Sequence, residues 1–146
     1  MKLFTLSLIF TIFLASVFSL PTMAVTNNSS VTINDAKIFV DVADTPLLRI
    51  RHINGRYYLK KDSGVFLIFD KEQKYGFLAT QTFFSVDVVW LGKRRDVVHI
   101  EYGIEPHTFP EIFSPDKSAK YMLIVPANYV KEKGIKKGMR ASFSGI

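Results

Sequence analysis

The sequence predicts one mainly β domain, a β-sandwich or small barrel with two short helices, and three observations carry that reading. About seven short runs rich in Val, Ile, Phe and Tyr are separated by Gly, Pro, Asn and Asp clusters, as strands and turns require. Only two stretches carry helix-start or helix-stop signals, and both are brief. The longest apolar stretch beyond residue 24, from Tyr75 to Tyr102, reads as a strand, a loop and a β-hairpin. A chain of 146 residues without an internal repeat leaves room for a single domain.

The opening reads as a signal peptide. Lys2 is the positive n-region, Leu3 to Leu20 carries no charge, and Pro21 breaks the run before Thr22-Met23-Ala24, whose small residues suit cleavage after Ala24. The competing reading is an uncleaved membrane anchor, since about 17 apolar residues suffice to span hydrocarbon. Thr5, Ser7, Thr11, Ser16 and Ser19 dilute the run and argue for cleavage. Either way the domain is expected outside the cytoplasm: secreted, periplasmic or on the cell surface. The organisation expected is therefore a signal peptide over 1–24, a flexible polar lead-in over 25–35 and a β domain over 36–146.

Within the domain, Lys37–Val42 reads as a strand. Asp44-Thr45-Pro46 then opens a short helix that runs to about His52, with an oxygen-bearing N-cap and Pro at the first helical position, where its missing N–H costs nothing. Asn54-Gly55 is a turn, and Tyr57–Leu59 reads as a short strand. Val65–Phe69, with no polar alternation, is a strand buried on both faces, and Asp70–Lys74 a charged connection. The hairpin pairs Val86–Leu91 with Val97–Tyr102 across Gly92–Asp96. The segment 103–120, with Pro106, Pro110 and Pro115, is a long loop of the kind that closes over a site. Tyr121–Val125 is a strand, Ala127–Lys133 a helix stopped by Gly134, and Met139–Phe143 the last strand.

From about Ile38 to Phe143 the order of motifs resembles the DUF192 (UPF0127) family of small uncharacterised domains. The matching residues are Thr45-Pro46, Arg56, Gly64–Phe69, Thr82, Asp87, Val97–Ile100, Pro106, Phe113-Ser114 and Gly134-Ile135-Lys136-Lys137-Gly138. The resemblance implies a compact β-sandwich of jelly-roll type and makes this chain a divergent member. Where the family carries Phe-Trp-Met-Lys-Asn-Thr, the chain has Phe77-Leu78-Ala79-Thr80-Gln81-Thr82, so the Trp, Met, Lys and Asn are missing. If that block lines a pocket, its cation is gone and Thr82 and Asp87 remain.

Composition excludes several chemistries. With no cysteine there are no disulfides, thiolate metal sites, Cys nucleophiles or lipid-modified Cys. The charge of +6, or +5 without Lys2, is modest, and Lys93-Arg94-Arg95 and the Lys131–Arg140 group read as a hairpin tip and a solvated helix end. With export and no stacking motif, nucleic acid is not expected as a partner. His52 and His107 lie far apart without metal-ligand spacing, and no serine has a nucleophile-elbow context. Asp87 lies in an otherwise apolar strand and, if the hairpin register allows, shares a face with His99 and Glu101. Such a trio would bind a cation or move a proton, but an antiparallel hairpin with one wet face explains it as well.

The function expected from the sequence is a monomeric, non-catalytic module of the cell envelope without cofactor or metal, meeting the membrane only through an uncleaved leader. Its ligand would be a small polar molecule, an envelope polymer or a protein partner. The site would lie in a cleft bounded by Thr80–Asp87, Arg56 and the loop 103–120, with Thr80, Thr82, His99 and Glu101 as further contacts. The alternative is a hydrolase or metal-assisted enzyme that uses Asp87 with His99 or Glu101.

Overall fold

A computed structural model describes residues 29–51, 53–80 and 82–146. The expected signal peptide lies outside them. In chain order the elements are β1 (Ser30–Ile33), β2 (Ala36–Ala43), α1 (Pro46–Arg51), β3 (Ser63–Gln73), β4 (Phe77–Leu78) and β5 (Val86–Leu91). They continue with β6 (Val97–Ile104), β7 (Ile112–Phe113), β8 (Ala119–Pro126), α2 (Tyr129–Glu132) and β9 (Ala141–Ser144).

Among the described residues, seven strands form one sheet in the order β6-β5-β8-β3-β2-β1-β9, and β4 pairs with β7 in a small second sheet. All neighbours in the large sheet run antiparallel except β2 and β3, which are parallel and joined by the crossover that carries α1. The sheet curls until its two ends meet. Val97 N–H donates to Met139 O, Gly138 N–H to Val97 O and Ala141 N–H to Arg95 O, each at 2.8 Å, and Asp96 bridges Arg140. The mainly β architecture is thus one sheet folded over a core.

Alternation along the central strands builds two cores, one on each side of the sheet. Val89 and Leu91 of β5, Phe66 of β3 and Leu123 and Val125 of β8 point inside the curl, where they meet Val31, Ile33, Ile38 and Val40. Val88 and Trp90, Val65, Leu67 and Phe69, and Met122 and Ile124 point to the other side, under Ile53, Phe77, Ala79 and Phe113. Every residue of β5 is consequently buried. This two-sided burial is why Val65–Phe69 lacks polar alternation.

Four sequence expectations are corrected. Residues 30–33 of the expected lead-in form β1, which pairs with both β2 and β9 and buries Val31 and Ile33. A two-residue turn at Asn34 (φ 48°) and Asp35 (φ 64°) makes that hairpin, with the doubly positive φ that suits strand twist. The charged connection Asp70–Lys74 is mostly strand, since β3 runs on to Gln73, which pairs with Ala119 past an irregularity. Tyr57–Leu59 is not a strand. The loop 103–120 is shortened by the end of β6, by β7 and by the start of β8.

Candidate functional site

The hairpin register separates the carboxylate–imidazole trio. Val88 pairs with Glu101 and Trp90 with His99, so His99 and Glu101 share their face with Val88 and Trp90, and Asp87 points the other way. Between the pairs Val86–Ile104 and Val88–Glu101, β6 carries one extra residue, and Gly103 takes the left-handed conformation (φ 61°) that this bulge needs. The bulge aims Gly103 N–H at Asp87 Oδ1, at 2.8 Å. Asp87 Oδ2 accepts Val130 N–H at 3.1 Å, in the first turn of α2, whose own N-cap residue Asn128 makes no side-chain cap bond. Asp87 is completely buried and ties β5, the β6 bulge and α2 together.

His99 is committed as well. Its Nδ1 lies 3.1 Å from Asp116 Oδ2 and its Nε2 2.9 Å from Glu101 Oε1, while its ring meets Trp90 edge-on at 5.4 Å. Lys137 donates to the same Asp116 oxygen at 2.9 Å. The Lys137 bond first, then the His99 bond, hold the Asp116 carboxyl below its usual range. A similar knot joins α2 to the turn before β3: Asp62 accepts from Tyr129 at 2.8 Å and pairs with Lys133 at 3.0 Å. Those bonds lower the Asp62 carboxyl, and burial followed by the Asp62 bond pushes the Tyr129 phenol up. Arg56 bonds Asp41 at 2.7 Å and stitches the crossover to β2. Among the described residues no group of three or more His, Asp or Glu side chains is arranged to hold a metal ion.

Thr82 is buried, and among the described residues its Oγ1 has no hydrogen-bond partner. An unpaired buried hydroxyl costs stability, so Thr82→Val is expected to keep or raise the midpoint of urea unfolding. A loss of about 1 kcal/mol or more would mean that the hydroxyl is satisfied after all.

The cleft with a built apolar floor lies elsewhere, between α1 and the outer face of β3, with a volume of about 280 Å³. Leu67 and Phe69 of β3 and Met122 and Ile124 of β8 form its floor, all on the outer side of the sheet. Arg49 and Ile50 of α1, with Ile53 and Asn54 after it, form one wall. Tyr75–Leu78 and Thr80 form the other. Gly76 is there for space, because a Cβ at that position would collide with Cγ2 of Ile112 in β7. A shallower cleft, formed by Ala79, Thr80, His107 and Phe109, shares Thr80 and extends toward the loop 103–120. Around the two clefts Ile50, Phe109 and Ile112 are each more than 60% exposed, a greasy rim for a domain this small. The clefts beside Arg56 reach 320 Å³, but they are more polar and their arginine is already paired with Asp41.

Of the residues singled out from sequence, Thr80 therefore lines this cleft, and Arg56, Thr82, Asp87, His99 and Glu101 do not. Arg49 and Asn54 were missed. Their signal was faint: a six-residue helix that buries none of its side chains, with Leu47, Leu48 and Ile50 exposed around an arginine.

The DUF192 profile, described as "Uncharacterized ACR", matches residues 29–143. The chain belongs to the DUF192 family. No curated protein matches it. Two solved structures share the fold. One is a "putative transcription regulator" from Sinorhizobium meliloti 1021, 20% identical, with a TM-score of 0.75, covering 84% of this chain and 99% of the other. The second is a protein of unknown function from Novosphingobium aromaticivorans DSM 12444, 17% identical, with a TM-score of 0.73, covering 77% and 83%. In this DUF192 chain the segment 77–82 supplies Phe77, Leu78 and Thr80 to the cleft. Among the described residues, Arg49 is the charged side chain that lines it.

Proposed function

We propose that this DUF192 domain is a non-catalytic binding module of the cell envelope, exported behind residues 1–24, which takes a small ligand in the cleft between α1 and β3. The observation that carries the reading is the cleft itself. It is concave, floored by buried core side chains and edged by a few polar groups (Arg49, Asn54, Thr80), the usual make-up of a small-molecule site. Its lining turns the expected small polar ligand into one with an apolar body. The enzymatic alternative loses its support, because Asp87 and His99 lie on opposite faces and each is engaged in structural bonds.

Thermal unfolding tests this. A ligand at one hundred times its Kd stabilises the native state by about 2.7 kcal/mol, a shift of several degrees for a domain this size. Thr80→Trp fills the mouth of the cleft from a half-buried position and is expected to abolish the shift while leaving the unliganded midpoint nearly unchanged. A ligand that stabilises wild type and Thr80→Trp equally binds elsewhere and would sink the proposal. Export is tested by fractionating the tagged full chain, which should leave the cytoplasm.

A further inference from the structure

Resting on the reading of the cleft above, we infer that its ligand is a hydrophobic monocarboxylate, held by Arg49. Arg49 is half-buried, and among the described residues it forms no ion pair with any Asp or Glu. A guanidinium taken partly out of water beside an apolar cavity is costly to leave without an anion. Its position is fixed in advance. Nη1 donates to Asp44 O at 2.8 Å and to Ile68 O, and the guanidinium lies over the Phe69 ring at 5.3 Å from its centre. Phe69 is itself clamped by Tyr75, with ring centres 3.7 Å apart.

The bonding pattern selects the class of anion. Nη1 has two N–H groups, and the two carbonyls take both. Among the described residues what remains is the Nε–H and the Nη2 pair, an edge whose two parallel donors match the two oxygens of one carboxylate. A phosphate dianion would call for a second cation, and among the described residues the cleft has none in its lining. Asn54 and Thr80 add neutral hydrogen-bonding groups. The rest of the lining is aliphatic and aromatic. At about 30 Å³ per heavy atom, 280 Å³ holds a molecule of roughly ten, such as an eight-carbon acid.

The test is calorimetric titration of the full chain with octanoate, 1-octanol and octylammonium, which share a tail and differ in the head. Wild type is expected to bind octanoate about tenfold or more tighter than 1-octanol, with octylammonium weakest. Arg49→Gln should bring octanoate to the affinity of 1-octanol, and Arg49→Lys should recover part of the difference. Equal binding of octanoate and 1-octanol by wild type, or octanoate affinity unchanged in Arg49→Gln, would overturn the assignment of Arg49 and leave the cleft as an apolar site. Failure of all three to bind would overturn the cleft reading too. Arg49 also pins α1 to β3, so the Arg49→Gln comparison needs a control that the variant has not lost its fold. Retained 1-octanol binding shows that it has not, and otherwise the wild-type series alone decides.

Discussion

Replacing Asp87 by alanine is expected to lower the unfolding free energy by about 2–5 kcal/mol. The carboxylate is wholly buried and accepts one hydrogen bond from the Gly103 bulge and one from the first turn of α2. Its removal strands two donors, each costing about 1–3 kcal/mol when left unpaired. Asp87→Asn should restore only part, because its amide group must turn toward one of the two N–H donors it would have to accept from. Urea unfolding with Trp90 fluorescence measures the loss, and the single Trp makes the signal simple to assign. Unchanged or raised stability in Asp87→Ala would instead identify a carboxylate kept for ligand or substrate, since functional groups are commonly held at a cost to the fold.

Trp90→Ala should be at least as damaging, at about 3–5 kcal/mol, the usual cost of emptying a large aromatic site in a core. Trp90 has no exposed surface, donates its Nε1–H to Tyr75 O at 2.8 Å and packs its ring against His99. The bond to Tyr75 also fixes a wall of the cleft. Trp90→Phe keeps most of the packing and loses that bond, so it is expected to cost about 1–2 kcal/mol and to weaken ligand binding as well. Wild-type ligand affinity in Trp90→Phe, measured by the same titrations, would show that the wall holds its place without the indole.

The hairpin β5–β6 was legible in sequence because its apolar alternation is local, and so was the doubly buried core of β3. The register was not. It depends on an irregularity beside the turn, where Leu91 pairs with Val97 but Trp90 with His99; without that extra residue of β6 Asp87 would face Glu101, and with it Asp87 parts from His99 and Glu101. The strand β1 was hidden by its polar neighbours Asn27–Ser30, although Asn34-Asp35 between Val-Thr-Ile and Ala-Lys-Ile is a fair two-residue hairpin signal. The tail of β3 looked like a connection because Asp70–Gln73 are all exposed and carry no apolar pattern. The cleft was the least legible. Arg49 acquires its role from Ile68 and Phe69, nearly twenty residues away, and nothing local marks it apart from any other basic residue in a helix's last turn.

The claim that the ligand enters between α1 and β3 is tested most directly by amide chemical-shift mapping of the labelled chain as octanoate is added. The largest shifts are expected at Arg49–Asn54, Leu67–Phe69 and Tyr75–Thr80, with the amides of Asp87, His99 and Glu101 nearly still. Shifts centred on Asp87, His99 and Glu101, with α1 unmoved, would contradict it and return the site to the hairpin.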